Sequence, residues 1–251
     1  MNLTKKIKEL IADPECVFVS NHSGGKDSQI MYLELRKIIP ADRLIVIHAH
    51  LPEVEWEGTE AFIRETVTHE FHVVQAVKTF FEMVEHRGMF PSPENRQCTS
   101  DLKRGPIQKK VRQICNERGF TKVVNCMGLR AEESSGRKKK AAWKWNKSLS
   151  VHKRVQRRWY DWLPIHKMKT TEVFAGIKNE GQEPFWVYAA GMTRKSCVFC
   201  IMASEEDLCL GAKLRPKLLE RYDHFEKKTG HVMIMPSKAK GRRTLKEIVN
   251  A

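Results

Sequence analysis

Ser23-Gly24-Gly25-Lys26-Asp27-Ser28 follows the apolar run Val17-Phe18-Val19 and precedes Ile30-Met31-Tyr32-Leu33. The order is strand, glycine-rich turn, helix, and it makes an anion site. Backbone N–H groups of the turn converge on the ligand, and the helix N-terminus adds partial positive charge. Paired glycines permit close backbone approach. Lys26 contributes a full charge, and Ser23 and Ser28 contribute hydroxyl donors. The common P-loop pattern is not met, because Gly25-Lys26 would need glycine at position 20 and a hydroxyl residue at 27, which hold Ser20 and Asp27.

Working outward, apolar strand-like runs alternate with helical patterns. Strands are expected at Leu44–Ile47, His72–Val77 and Lys122–Met127. Helices are expected around Leu3–Ile11, Thr59–Thr68, 102–117, Thr170–Asn179 and Leu214–Lys228. Alternation of this kind predicts an α/β fold with a doubly wound, mostly parallel sheet. Ligands in such sheets bind beyond the carboxyl ends of the strands. SGGKDS, HAHLPE (48 to 53) and GLRAEES (128 to 134) are all placed there. A division into a nucleotide-binding domain over residues 1–190 and a helical, cysteine-containing segment over 191–251 is expected.

At 251 residues with 41% hydrophobic content, the chain is long enough for one sizeable core. It has no apolar run of membrane-spanning length, and its charged amphipathic start does not read as a signal peptide. Seven cysteines, an odd count with one tight pair, suit a reducing cytoplasm and a metal or redox site. A net charge of +15 favours a polyanionic partner. The segment 135–158 concentrates that charge and reads as a loop or hairpin over the site. Its Lys138, Lys139, Lys140, Lys144, Arg154, Arg157 and Arg158 suit phosphates, and Trp143, Trp145 or Trp159 suit base stacking, so DNA or tRNA is the expected partner.

In GLRAEESSGR (128 to 137), Gly128 allows close packing. Arg130 and Arg137 offer guanidinium forks for phosphate, and Glu133 and Ser134 are placed to orient an arginine or a ribose. Cys197-Val198-Phe199-Cys200 brings two sulfurs to one side of a turn, the spacing of a chelate or of a redox pair. Cys98 and Cys209 are further candidate ligands. Cys16, Cys115 and Cys126 read as buried small hydrophobes. A zinc finger fits less well, because His224 and His231 are separated by six residues.

SGGKDS resembles the PP-loop of the ATP pyrophosphatases. GLRAEESSGR, WLPI and PFWVYAAG (184 to 191) resemble segments of the PAPS reductase-like family within that superfamily, and the resemblance runs over roughly residues 15 to 230. Phage or prophage members and the ATP pyrophosphatase of DNA phosphorothioation are among the proteins the chain resembles. The resemblance implies an adenine nucleotide alpha hydrolase-like fold, with ATP on Ser23, Gly24, Gly25, Lys26, Asp27, Ser28, Gly128, Arg130, Glu133 and Ser134. Mg²⁺ would bridge the phosphates, with Asp27 either holding the metal or capping the helix. The catalytic set it implies is Lys26, Asp27, Arg130 and Arg137. Related thiolation enzymes hold a [4Fe–4S] cluster on three cysteines. Cys98, Cys197 and Cys200 match such a set, Cys209 is a candidate fourth ligand, and zinc is the alternative occupant. The implied activity is adenylation of an acceptor, with nucleic acid the expected one, followed by sulfur transfer from a donor such as a cysteine desulfurase. Two other readings stay open: a PAPS or APS reductase, and a nucleotide-gated nucleic-acid-binding module without turnover. Against the reductase, the chain lacks a C-terminal Glu-Cys-Gly-Leu-His segment, and Cys98 is single.

Overall fold

The computed structural model describes residues 3–150, 156–236 and 239–251. The strands are β1 (Cys16–Asn21), β2 (Leu44–Ala49), β3 (Phe71–Val74), β4 (Lys122–Cys126), β5 (Trp143–Trp145) and β6 (Arg158–Trp162). The helices are α1 (Lys5–Ala12), α2 (Lys26–Leu35), α3 (Thr59–Thr66), α4 (Phe80–Arg87), α5 (Gln97–Thr99), α6 (Gly105–Arg118), α7 (Ser135–Lys138), α8 (Thr170–Asn179), α9 (Glu205–Leu214), α10 (Pro216–Thr229) and α11 (Leu245–Val249). None of the helices in the described residues is long and apolar enough to cross a membrane.

The chain forms two compact units. The first comprises residues 1–48, 60–74 and 107–185; the second comprises 49–59, 75–106 and 186–251. The second unit therefore holds all of 191–251 and adds two earlier excursions of the chain.

The first unit is built on a sheet of order β3-β2-β1-β4-β6-β5. β1 runs parallel to β2 and β4, β4 runs parallel to β6, and β5 closes the edge antiparallel to β6. The direction of winding reverses between β1 and β4, which opens a crevice at their carboxyl ends. β1 and β2 are buried on both faces, as parallel strands covered by helices must be. One face packs Phe18, Val46 and Val124 against Ile30, Met31, Ile63, Val173 and Ile177 of α2, α3 and α8. The other packs Val17, Val19, Ile45 and Val123 against Val111, Ile114 and Cys115 of α6. Gly176 lets α8 approach α2, where an added Cβ would lie 2.7 Å from Ile30 Cδ1.

Several expectations change. β3 ends at Val74 rather than Val77, whose side chain is fully exposed. Within the described part of 135–158, β5 lies antiparallel to β6 and Ser150 ties the two strands. The Ser150 hydroxyl receives Trp145 Nε1–H at 3.0 Å and Trp159 N–H at 3.1 Å. Trp159 is 2% exposed and belongs to the core, so it offers no face for stacking. Trp143 stacks on Tyr160, and Trp145 stays exposed. Arg157 is buried and donates to Asn116 at 2.8 Å, which removes it from the phosphate-contact set. Arg154 lies outside the described residues.

In the second unit, Phe80, Phe81, Phe90, Phe199 and Tyr222 form an aromatic core. Arg242 and Arg243 of the basic tail are anchored, donating to Gly230 O and to Glu205.

Candidate active site

SGGKDS sits where the sheet reverses. Gly24 adopts φ 75°, a left-handed conformation that favours glycine. Gly25 then starts α2 in extended backbone without a side-chain cap. The turn is fixed from within. Ser28 Oγ donates to Gly25 O at 2.8 Å and accepts from Ser23 N–H at 3.1 Å, and Gly24 N–H donates to His22 Nδ1 at 3.1 Å.

The second motif grips the first. A Cβ on Gly128 would lie 2.8 Å from Asp27 O and 3.1 Å from Ser28 N, so only glycine fits against the loop backbone. Arg130 is 2% exposed. Its Nε donates to Asp27 Oδ1 at 2.6 Å, its Nη1 to Glu132 at 2.8 Å and to Met168 O at 3.1 Å, and its Nη2 to Thr170 at 3.1 Å. The guanidinium faces protein partners on every side, where phosphate contact was expected. It braces Asp27, whose other oxygen takes Lys26 Nζ at 3.0 Å. Both oxygens of the Asp27 carboxylate are thus engaged, one by Arg130 and the other by Lys26. Lys26 is itself buried and lies 5.9 Å from the Phe174 ring.

Glu133, Ser134 and Arg137 form a local knot. Glu133 accepts from Arg130 N–H at 2.9 Å and pairs with Arg137, and Ser134 caps α7 through Arg137 N–H at 3.2 Å. Thr170 and Arg130 hold Glu132 below the ordinary carboxylate range.

Residues missed in the sequence reading line the same end of the sheet. Asn21, Asn125 and Asp161 hydrogen-bond in series across β1, β4 and β6. The signal was there: each is a polar residue near the carboxyl end of an apolar run.

In the second unit, Val198 N–H donates to Val54 O at 2.9 Å and docks the CxxC turn on the 49–59 segment. Gly211 permits that docking, since its Cβ would meet Val198 O at 3.2 Å. Burial pushes Cys197 up to about 11, with Cys200 and Cys98 adding to the shift and Lys103 opposing it. Burial also raises Cys98. Cys197 in turn raises Lys103, helped by Cys98, Glu55 and Cys200. Burial pulls Lys195 down to about 8, while Glu55, 3.6 Å away, opposes it. Three thiols, two lysines and a carboxylate therefore share one nest. Cys98 reaches it from α5, and Lys103 from the π-helical turn Ser100–Arg104. A metal or cluster held there would need ionised sulfurs, which Lys103 favours against the burial that raises Cys197. Cys209 is not drawn into it in the same way. Its thiol, on α9, faces Val249 O at 3.9 Å. Lys103, Lys195 and Glu55 had no motif to announce them. Cys16, Cys115 and Cys126 are buried, and burial pushes Cys16 to about 12 and Cys115 to about 11.

The family model for the phosphoadenosine phosphosulfate reductase domain matches residues 17–203, which span the loop, the GLRAEES segment and the CxxC. The chain belongs to this family. Among curated relatives of this PAPS reductase-family chain, a 37.8 kDa protein of Escherichia phage 186 is 27% identical over 67% of the chain and 50% of its own length. A protein of Methanocaldococcus jannaschii is 24% identical over 92% of the chain and 53% of its own length. The chain thus spans about half the length of the curated relatives it matches. Similar solved structures include the phosphoadenylyl-sulfate reductase from Candida auris, 12% identical, covering 78% of this chain and 97% of that one, with a TM-score of 0.45. The U34-tRNA thiolase NcsA from Methanococcus maripaludis with its [4Fe-4S] cluster is 12% identical, covering 99% and 84%, with a TM-score of 0.41.

Proposed function

We propose that this PAPS reductase-family chain is an ATP pyrophosphatase-type enzyme that adenylates an acceptor for sulfur transfer. The observation that carries the reading is the intact SGGKDS turn at the N-terminus of α2, packed against Gly128 at the winding reversal of the sheet.

In this reading the N–H groups that open α2 hold the triphosphate and Ser23 donates to it, while Ser28 keeps the turn closed through Gly25 O. Lys26 faces the β and γ phosphates, and a bound Mg²⁺ would supply further neutralisation of their charge. Arg130 acts through Asp27, keeping Lys26 in place. An acceptor oxygen attacks the α-phosphorus, the bond to the β-phosphate oxygen breaks, and pyrophosphate leaves. A sulfur nucleophile then displaces AMP from the acceptor carbon or phosphorus. Cys98, Cys197 and Cys200 would hold a [4Fe–4S] cluster, or zinc as the alternative occupant. A bound cluster would supply sulfur in reduced form. The basic hairpin around β5 supports DNA or tRNA as acceptor, and a cysteine desulfurase is one class of protein that could supply the sulfur.

The test is ATP turnover to AMP and pyrophosphate, measured with and without DNA and tRNA. Lys26→Ala should lower AMP formation by at least about a hundredfold, as loss of a preorganised charge at the reacting phosphates does. AMP formation unchanged in that variant overturns the reading. Sulfite release from PAPS or APS would show a reductase instead. Nucleotide-dependent nucleic-acid binding without AMP would show a gated module.

A further inference from the structure

One face of the sheet changes character along its strands. Val17, Val19, Val123 and Trp159 are buried on that face with Val111 and Ile114 of α6. Side chains two residues apart share a face, so the same strands then present Asn21, Asn125 and Asp161, each half-buried. Asn21 Nδ2 donates to Asn125 Oδ1 at 2.7 Å and to Cys126 O at 2.8 Å. Asn125 Nδ2 donates to Asp161 Oδ1 at 2.9 Å, and Asn146 Nδ2 donates to Asp161 Oδ2 at 2.9 Å. The row begins two residues before Ser23 and runs towards β5, where exposed Lys144 stands opposite Asp161 in the register.

We propose that this row is a base-reading shelf for the nucleic-acid acceptor. The inference rests on the acceptor being nucleic acid, as argued above. A carboxamide has two N–H donors and two acceptor positions, and an ionised carboxylate accepts several bonds. The bonds within the row use one N–H and one acceptor position of Asn125, and one bond at each oxygen of Asp161. The remaining donor and acceptor capacity, fixed in position by the row itself, has the chemistry that reads base edges: asparagine with adenine, aspartate with the cytosine amino group. The direction of the row selects the acceptor over ATP. It leads away from the phosphate turn to the β5 hairpin, where Lys139, Lys140, Lys144 and Lys147 are exposed and match a phosphate backbone.

Fluorescence anisotropy with labelled homopolymeric single strands, alongside calorimetry with ATP, tests the shelf. Asp161→Asn should weaken the best-bound strand by about tenfold, the scale of one base contact, and leave ATP affinity unchanged. The exchange Asn125→Asp with Asp161→Asn keeps a hydrogen-bonded row while reversing its polarity, so it should fold and alter the order of preference among the strands. Lys144→Ala should weaken every strand alike. Hydrogen exchange on the unaltered protein should show protection over 122–126 and 158–162 when a strand is added. Unchanged strand preferences in the exchange variant, or a loss confined to ATP, overturn the proposal. Base preference without any AMP formation would leave the shelf standing while the reaction fell.

Discussion

Arg130 shows how one residue can belong to a nucleotide motif without facing the nucleotide. Its guanidinium is buried among Asp27, Glu132, Thr170 and the Met168 carbonyl. Removing one partner of such a group leaves the other charges uncompensated. Arg130→Met should therefore destabilise the protein by about 3 kcal/mol, and the added Asp27→Asn should recover part of that loss. Urea denaturation of the single and double variants checks it, and strict additivity would deny the coupling. The cysteines divide in the same residue-by-residue manner. Ser substitution of Cys98, Cys197 or Cys200 should abolish iron binding and visible absorbance in anaerobically purified protein. Cys209→Ser should keep both, since its thiol faces Val249 O. A colourless native protein with stoichiometric zinc would remove the cluster.

Among the elements, the end of α6 is tied to the residue before β3 by Arg118, which donates to both oxygens of Glu70 at 2.7 and 2.6 Å. Arg118, then His72, hold Glu70 below its ordinary value of 4.5. A carboxylate held low contributes stability that is present above its unfolded value and disappears as pH falls through its folded value. The loss should thus set in below about 4.5. Both side chains are about a third or more exposed, 32% and 40%, so screening limits the contribution to about 0.5 kcal/mol. Denaturation midpoints of Glu70→Gln should fall less on acidification than those of the native protein. Equal slopes would rule the pair out as a source of acid sensitivity. α2 and α8 illustrate what a strand-and-helix reading grasps easily. Their apolar spacing and flanking residues mark them clearly, and α8 occupies Thr170–Asn179 as the pattern indicates. α4 and α9 escaped that reading because their buried residues face the aromatic and CxxC neighbours of the second unit, a context no local window contains.

For the molecule as a whole, the net charge of +15 makes ionic strength the natural probe. If lysines of the hairpin meet phosphates, nucleic-acid affinity should fall by about an order of magnitude or more for a fourfold rise in salt. A flat salt dependence would assign the charge to a solvated face. The composition is global information and needs no fold to be read. Its distribution is different, since Arg157 looked like one more phosphate contact until the fold buried it beside Asn116.

The phosphate turn, the alternation of strands and helices and the GLRAEES and CxxC motifs were legible in the chain. Each depends on contacts within a few residues: φ at a glycine, the start of a helix, the spacing of two thiols. What required the folded molecule were associations over long separations. Arg130 meets Asp27 across 103 residues, and Asn21 meets Asn125 across 104. Lys103 and Lys195 acquire their meaning only beside Cys197. Such partners are chosen by strand order and packing, and these arise from the whole set of buried side chains acting together.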